Sequence, residues 1–140
     1  MGSGDQIICV IDGQGGGIGS AIIKKLKERF GERIQVIALG TNAIATAQML
    51  KAKANKGASG PNAIVQTVKK ADVINGPIGI IMPHAMMGEL TPAMAEAISF
   101  ARAKKILLPL TQENIELVGT GSLPLPQLID ELLDQYLFLL

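Results

Sequence analysis

The chain has one cysteine, one histidine, no tryptophan and only four other aromatic residues, three Phe and one Tyr. With Cys9 alone, no intrachain disulfide can form, and its place inside an apolar run marks it as a small buried residue. With His84 alone, there is no histidine cluster for zinc, and no Ser-His-Asp arrangement that avoids this one residue. So few aromatics leave no platform for stacked bases. Charge is nearly balanced as well, with 13 Lys and Arg against 12 Asp and Glu, a formal net charge of +1 and no basic block. Nucleic acid is therefore not expected as a partner. A membrane is not expected either: no uninterrupted apolar stretch approaches the roughly 18–20 residues a spanning helix requires, and no basic-then-apolar leader precedes the first apolar run. The expected location is cytoplasmic.

Glycine and aliphatic residues are what the sequence does contain: 16 Gly in 140 residues, and 48% apolar residues overall. The length suits one domain, residues 1–140 with 1–5 as a flexible start. It leaves no room for two nucleotide-binding halves plus a substrate domain, so any pocket must be closed by loops or by a second subunit.

Along the chain, strands alternate with helices. Residues 7–11 form a continuous apolar run, as in a strand buried on both faces. Ile18, Ile22, Ile23, Leu26 and Phe30 then recur at helical spacing, with Gly31 as the stop. Residues 34–39 predict a second buried strand ended by Gly40. Thr41 or Asn42 caps a helix over 43–54, and 57–60 reads as a loop. Residues 61–70 predict a short helix with Pro61 in its first turn, although Ile64, Val65 and Val68 also fit a strand, and 72–75 predict a third strand that stops at Gly76-Pro77. Residues 78–90 give no clear pattern. Thr91 caps a helix with Pro92 first and Met94, Ile98 and Ala101 inward, Lys104-Lys105 reads as a solvated pair at a helix end, and 106–110 is another buried strand. A short edge strand is expected at 115–118. Pro126 opens a last helix whose stripe is Leu128, Ile129, Leu132, Leu133, Tyr136 and Leu137. Parallel neighbours need crossovers, so the alternation predicts an α/β protein: a Rossmann-like three-layer sandwich around a mainly parallel sheet of about five strands.

In such folds ligands bind beyond the carboxyl ends of the strands. Asp12, Gly13, Gln14, Gly15, Gly16, Gly17, Ile18 and Gly19 stand there, between the first strand and its helix. A turn without side chains can lie against a ligand while the helix offers unpaired N–H groups, so this turn is the expected cradle for a small phosphorylated ligand. Gly40, Thr41 and Asn42 after the second strand, and Gly76, Pro77, Ile78 and Gly79 after the third, are expected to complete the site. NAD(P) or another nucleotide is the cofactor class that such a cradle admits. Asp12 needs an explanation, because a carboxylate about 6 Å from a phosphate opposes it by roughly 2–3 kcal/mol at an effective dielectric near 20, against about 0.3–1 kcal/mol from an exposed helix dipole. Either Mg²⁺ bridges Asp12 and the phosphate, or Asp12 faces away and accepts N–H groups of the turn. Apart from that Mg²⁺, no metal site is expected.

The spacing Gly13-x-x-x-Gly17-Ile18-Gly19 resembles the cofactor loop of the short-chain dehydrogenases over the first strand, turn and helix only. Their Tyr and Lys four residues apart have no counterpart, since Leu140 follows Tyr136 at that distance, and Gly40-Thr41-Asn42 lacks the acid that usually holds the ribose. Over nearly its whole length the chain is similar to a family of short uncharacterised bacterial proteins, a domain of unknown function. The matching segments are IDGQGGGIG at 11–19, ALGTNAIAT at 38–46, GPIGII at 76–81, GELTP at 88–92 and LPQLIDEL at 125–132. The resemblance implies no activity, cofactor or catalytic residue.

His84 and Glu89 are the candidates for acid–base chemistry if their segment folds over the sheet edge; otherwise they are a loop histidine and a residue preceding the Thr91 cap. Met82, Met86, Met87 and Met94 fit either an adaptable pocket or ordinary core and subunit contacts. The ending Tyr136-Leu137-Phe138-Leu139-Leu140 exceeds what one helix face buries, and predicts a homodimer or larger homo-oligomer through the last helix. Three functions follow from these features: a module that binds a nucleotide or phosphorylated metabolite, a small oligomeric enzyme acting on such a substrate through His84 and Glu89, and a scaffold subunit without ligand.

Overall fold

The computed structural model describes residues 6–137. Met1-Gly2-Ser3-Gly4-Asp5, expected to be a flexible start, lies outside the described residues, as do Phe138, Leu139 and Leu140 of the expected partner surface. Five strands, β1 (Gln6–Asp12), β2 (Ile34–Gly40), β3 (Lys56–Ser59), β4 (Val73–Pro77) and β5 (Lys104–Leu108), form one sheet in the order β3-β2-β1-β4-β5. Every pairing is parallel, so the sheet is wholly rather than mainly so.

Each crossover carries a helix. α1 (Gly17–Phe30), α2 (Ala43–Lys51) and, after β5, α5 (Leu125–Glu131) cover one face, while α3 (Pro61–Thr67) and α4 (Pro92–Phe100) cover the other. Strand residues alternate between the two cores. Ile8, Val10, Val36 and Ala38 meet the α1 stripe of Ile22, Ile23, Leu26 and Phe30, and Cys9, Ile11, Ile37 and Leu39 meet Ile64, Met94 and Ile98. Burial on both sides is why β1 and β2 read as unbroken apolar runs. This is the Rossmann-like three-layer α/β sandwich. Burial also pushes the Cys9 thiol up to about 12, which keeps it unreactive.

Local capping agrees with the sequence at α2, where the Asn42 side chain accepts the Ala45 N–H at 2.8 Å, and at α4, where the Thr91 hydroxyl accepts the Met94 N–H at 3.1 Å. Elsewhere the structure corrects the reading. Residues 56–59 are not a loop but the edge strand β3, held by β2 in register Ile37 with Lys56 to Gly40 with Ser59. Residues 115–118 are not a strand: they lie in the irregular connection from β5 to α5, with Val118 fully exposed. Lys104 and Lys105 open β5, where pairing with Val73 and Ile74 draws them into the sheet; they do not end a helix. Shorter than expected, α2 closes at Lys51. After α5, residues Leu132–Tyr136 make one turn of π-helix, with Leu137 buried and Tyr136 half exposed. Among the described residues no helix is long and apolar enough to cross a membrane.

Candidate functional site

In the order β3-β2-β1-β4-β5 the chain reverses direction across the sheet between β1 and β4, and the ends of these two strands are the place such sheets use for ligands. The glycine turn stands at this point. β1 ends in Asp12, Gly16 precedes α1 in the left-handed conformation with φ 74°, and the Gly16 N–H closes the turn on the Gly13 carbonyl at 2.9 Å. Because Gly16 has no side chain to cap the helix, Asp12 does so from four residues back. Its Oδ1 accepts the Gly13 N–H at 2.8 Å and its Oδ2 the Gly19 N–H at 2.7 Å. Gly19 is the third residue of α1, whose N–H is the one a capping side chain ordinarily serves. Asp12 is 4% exposed, and its desolvation pushes the carboxyl up despite these N–H groups, with the Glu89 charge adding to the rise. Of the two roles the sequence leaves open for Asp12, acceptance of the turn's own N–H groups is the one its oxygens adopt.

Glu89 reaches the turn from the segment that joins β4 to α4. Its Oε1 accepts the Gln14 N–H at 2.8 Å, the Thr41 hydroxyl at 2.6 Å and the Asn42 amide at 2.9 Å. Partial desolvation works against its charge, but the Thr41, Gln14 and Asn42 donors prevail and hold the carboxyl below the usual range. The Asn42 amide also donates to the Gln14 carbonyl, and the Thr41 N–H to the Asp12 carbonyl, so the loops after β1 and β2 are tied together. His84 sits on the same strap but is exposed, with φ 71°, and makes no hydrogen bond to Glu89. The structure thus brings Glu89 to the glycine turn and leaves His84 on the solvent side.

Between the turn and the end of β4 lies an open cleft of about 320 Å³. It is lined by Asp12, Gln14 and Ile18 from the turn and α1, Pro77 and Gly79 from the end of β4, Ala85 and Met86 from the segment that leads to α4, and residues 110–113 beyond β5. Of the second glycine cluster, Gly76 is buried in β4 against the Ile11 carbonyl, and Ile78 instead borders a separate groove along β5 and α5. Gly40 packs on Thr46, with Thr41 and Asn42 on the Glu89 side of the turn. Met94 belongs to the core, and Met87 is exposed. Sequence reasoning missed Leu110, Thr111, Gln112 and Glu113. Their signal is positional, since they follow β5 as Ile78 and Gly79 follow β4, but extending the strand to residue 110 hides it. Two carboxylates and no basic side chain line the cleft, so an anion there would rely on backbone N–H groups and the α1 dipole. No group of three or more His, Cys, Asp or Glu suited to a metal occurs among the described residues.

The Gly15 and Gly17 N–H groups have no protein acceptor among the described residues, and both glycines are exposed. A Cβ built on either would meet nothing within 4 Å. At Gly16, by contrast, a Cβ would stand 2.7 Å from the Ala45 carbonyl oxygen, and at Gly19 it would stand 2.9 Å from the Asp12 Cβ.

The family model described as Domain of unknown function (DUF3842) matches residues 7–139, and the chain belongs to that family. No curated protein matches the sequence.

Proposed function

We propose that this member of the family is a binding module for a nucleotide or another small phosphorylated metabolite, with the phosphate against the Gly15 and Gly17 side of the turn and the remainder on the sheet edge around the turn, the cleft included. The observation that carries the reading is the pair of glycines the fold does not itself require. Neither takes a positive φ, neither is crowded, and each adds to the entropy cost of folding, while their N–H groups have no acceptor among the described residues and stand beside a helix N-terminus. The cleft, about 320 Å³, lies at the small end of ligand sites and suits a mononucleotide-sized group better than a whole dinucleotide. Asp12 and Glu113 oppose a phosphate; with both Asp12 oxygens taken by the turn, Mg²⁺ between Glu113 and the ligand would relieve part of that.

Thermal unfolding against NAD, NADP, FMN, ATP, GTP, S-adenosylmethionine and sugar phosphates, each with and without Mg²⁺, tests the proposal. A ligand that binds only the folded state raises the midpoint, by about 2.7 kcal/mol of stabilisation at a hundredfold excess over its Kd. The expected result is a saturable rise for at least one phosphorylated compound that vanishes in Gly17→Leu. A flat response across the panel would sink the reading.

A further inference from the structure

β2 ends in Gly40-Thr41-Asn42 and lacks the acid that dinucleotide-binding folds usually place there to hold a ribose hydroxyl. A carboxylate nevertheless occupies that place, delivered from another part of the chain. Glu89, 47 residues beyond Asn42, hydrogen-bonds through Oε1 to Thr41 and Asn42 directly after β2 and to Gln14 of the glycine turn. Three donors on one oxygen fix the carboxylate on both loops. Its other oxygen, Oε2, accepts nothing from the described residues and is not among their buried unpaired atoms, so it is not sealed from solvent.

We infer that Glu89 recognises the sugar of the ligand proposed above: its free Oε2 accepts a hydrogen bond from a ribose 2′- or 3′-hydroxyl, which narrows the ligand class to ribonucleotides. The inference rests on that proposal. Three features of the site support it. The carboxylate is held by donors that belong to the two loops a nucleotide spans in such folds, the one after β1 and the one after β2. Gly13 lies between the cleft and Glu89: a Cβ there would collide with Met86, which borders the cleft, and with Thr41, and would press on Glu89. Finally, no Lys or Arg pairs with Glu89 among the described residues, so its charge is unneutralised and would repel a 2′-phosphate while attracting a hydroxyl.

The test compares ADP with 2′-deoxy-ADP and 3′-deoxy-ADP by calorimetric titration of the native chain and of Glu89→Gln. Glutamine keeps an acceptor oxygen for the three donors and replaces only the free oxygen. In the native chain, removal of the recognised hydroxyl is expected to weaken binding roughly tenfold to a hundredfold, the range for a hydrogen bond to a charged group. In Glu89→Gln the hydroxyl can no longer donate to a carboxylate, so the gap between ADP and that deoxy form should narrow, whatever common shift the lost charge gives to both. Equal binding of all three nucleotides to the native chain would overturn the inference and leave the binding module standing. So would discrimination that is undiminished in Glu89→Gln. Should none of the three bind while another ribonucleotide of the panel does, that nucleotide and its deoxy forms take their place; binding only of compounds without a ribose overturns the ribose role, and silence from every phosphorylated compound removes both readings together. If Glu89→Gln fails to fold, the comparison of the three nucleotides on the native chain decides alone.

Discussion

The glycine turn has an inner and an outer side, and they differ in what holds them. On the inner side, Gly16 is left-handed and backed by Ala45, and Gly19 is backed by Asp12 and Met49. The N–H groups there are filled from within the protein: Asp12 fills those of Gly13 and Gly19, and Glu89 fills that of Gln14 through one of its two oxygens. On the outer side, Gly15 and Gly17 have no neighbour that excludes a side chain. A glycine-rich motif is therefore not one signal. Part of it is geometry that any strand-to-helix turn of this shape needs, and only the remainder bears on a ligand.

The comparison breaks most visibly at Gly16. A valine there must adopt a left-handed backbone and push its Cβ into the α2 backbone at Ala45, which stands 2.7 Å away. Left-handed strain of about 1–3 kcal/mol and overpacking of about 1–3 kcal/mol add to a loss of about 2–6 kcal/mol in Gly16→Val, read by equilibrium urea unfolding. A loss below about 0.5 kcal/mol would mean that the inner side is not fixed as described.

The same division explains how much of the molecule could be read in advance. β1, β2 and β4 were legible because strands buried on both faces are continuous apolar runs, and α1 because Ile22, Ile23, Leu26 and Phe30 recur at helical spacing. β3 was not, since Lys56-Gly57-Ala58-Ser59 has no apolar pattern. It exists because β2 offers an open edge and because Gly57 lets Leu50 and Thr46 approach. Residues 115–118 show the converse: apolar residues with no strand to pair with remain irregular. At the site, the turn was evident from local sequence. The ties of Glu89 were not, because its hydrogen-bond partner Gln14 lies 75 residues away and no periodicity encodes that approach.

A second, smaller effect separates the two carboxylates of the inner side by sign. Burial raises the Asp12 carboxyl above its unfolded value, so the folded state holds that proton more tightly. The cost of its charge is present at neutral pH and is relieved as pH falls through the folded value, being gone below about 3.9. Glu89 is shifted the other way: its contribution is complete above about 4.3 and is lost as pH falls through its lowered value. Asp12→Asn turns an amide donor toward one of two backbone donors and should cost about 1–3 kcal/mol at neutral pH. Between neutral pH and about pH 4 its deficit against the native chain should widen, whereas the deficit of Glu89→Gln should narrow below about 4.3. Urea midpoints of the three proteins across that range measure both trends. Parallel trends would show that the two carboxylates are not held in different ways.

At Gly17 the expected effect on stability is the smallest, and there the contrast between the two sides becomes sharpest. The residue opens α1 with a backbone that any amino acid can adopt, and a Cβ there points into empty space. Gly17→Ala should therefore match or exceed the native chain by about 0.4–1 kcal/mol, through the lost freedom of the unfolded state. Gly17→Leu should stay within about 0.5 kcal/mol, as exposed substitutions usually do. If its fold is intact, a loss of ligand binding in Gly17→Leu comes from the space its side chain fills and not from a damaged turn, which is the distinction that Gly16→Val cannot make. If Gly17→Leu instead unfolds as readily as Gly16→Val, the outer side is as fixed as the inner one, and the two open glycines no longer point to a ligand.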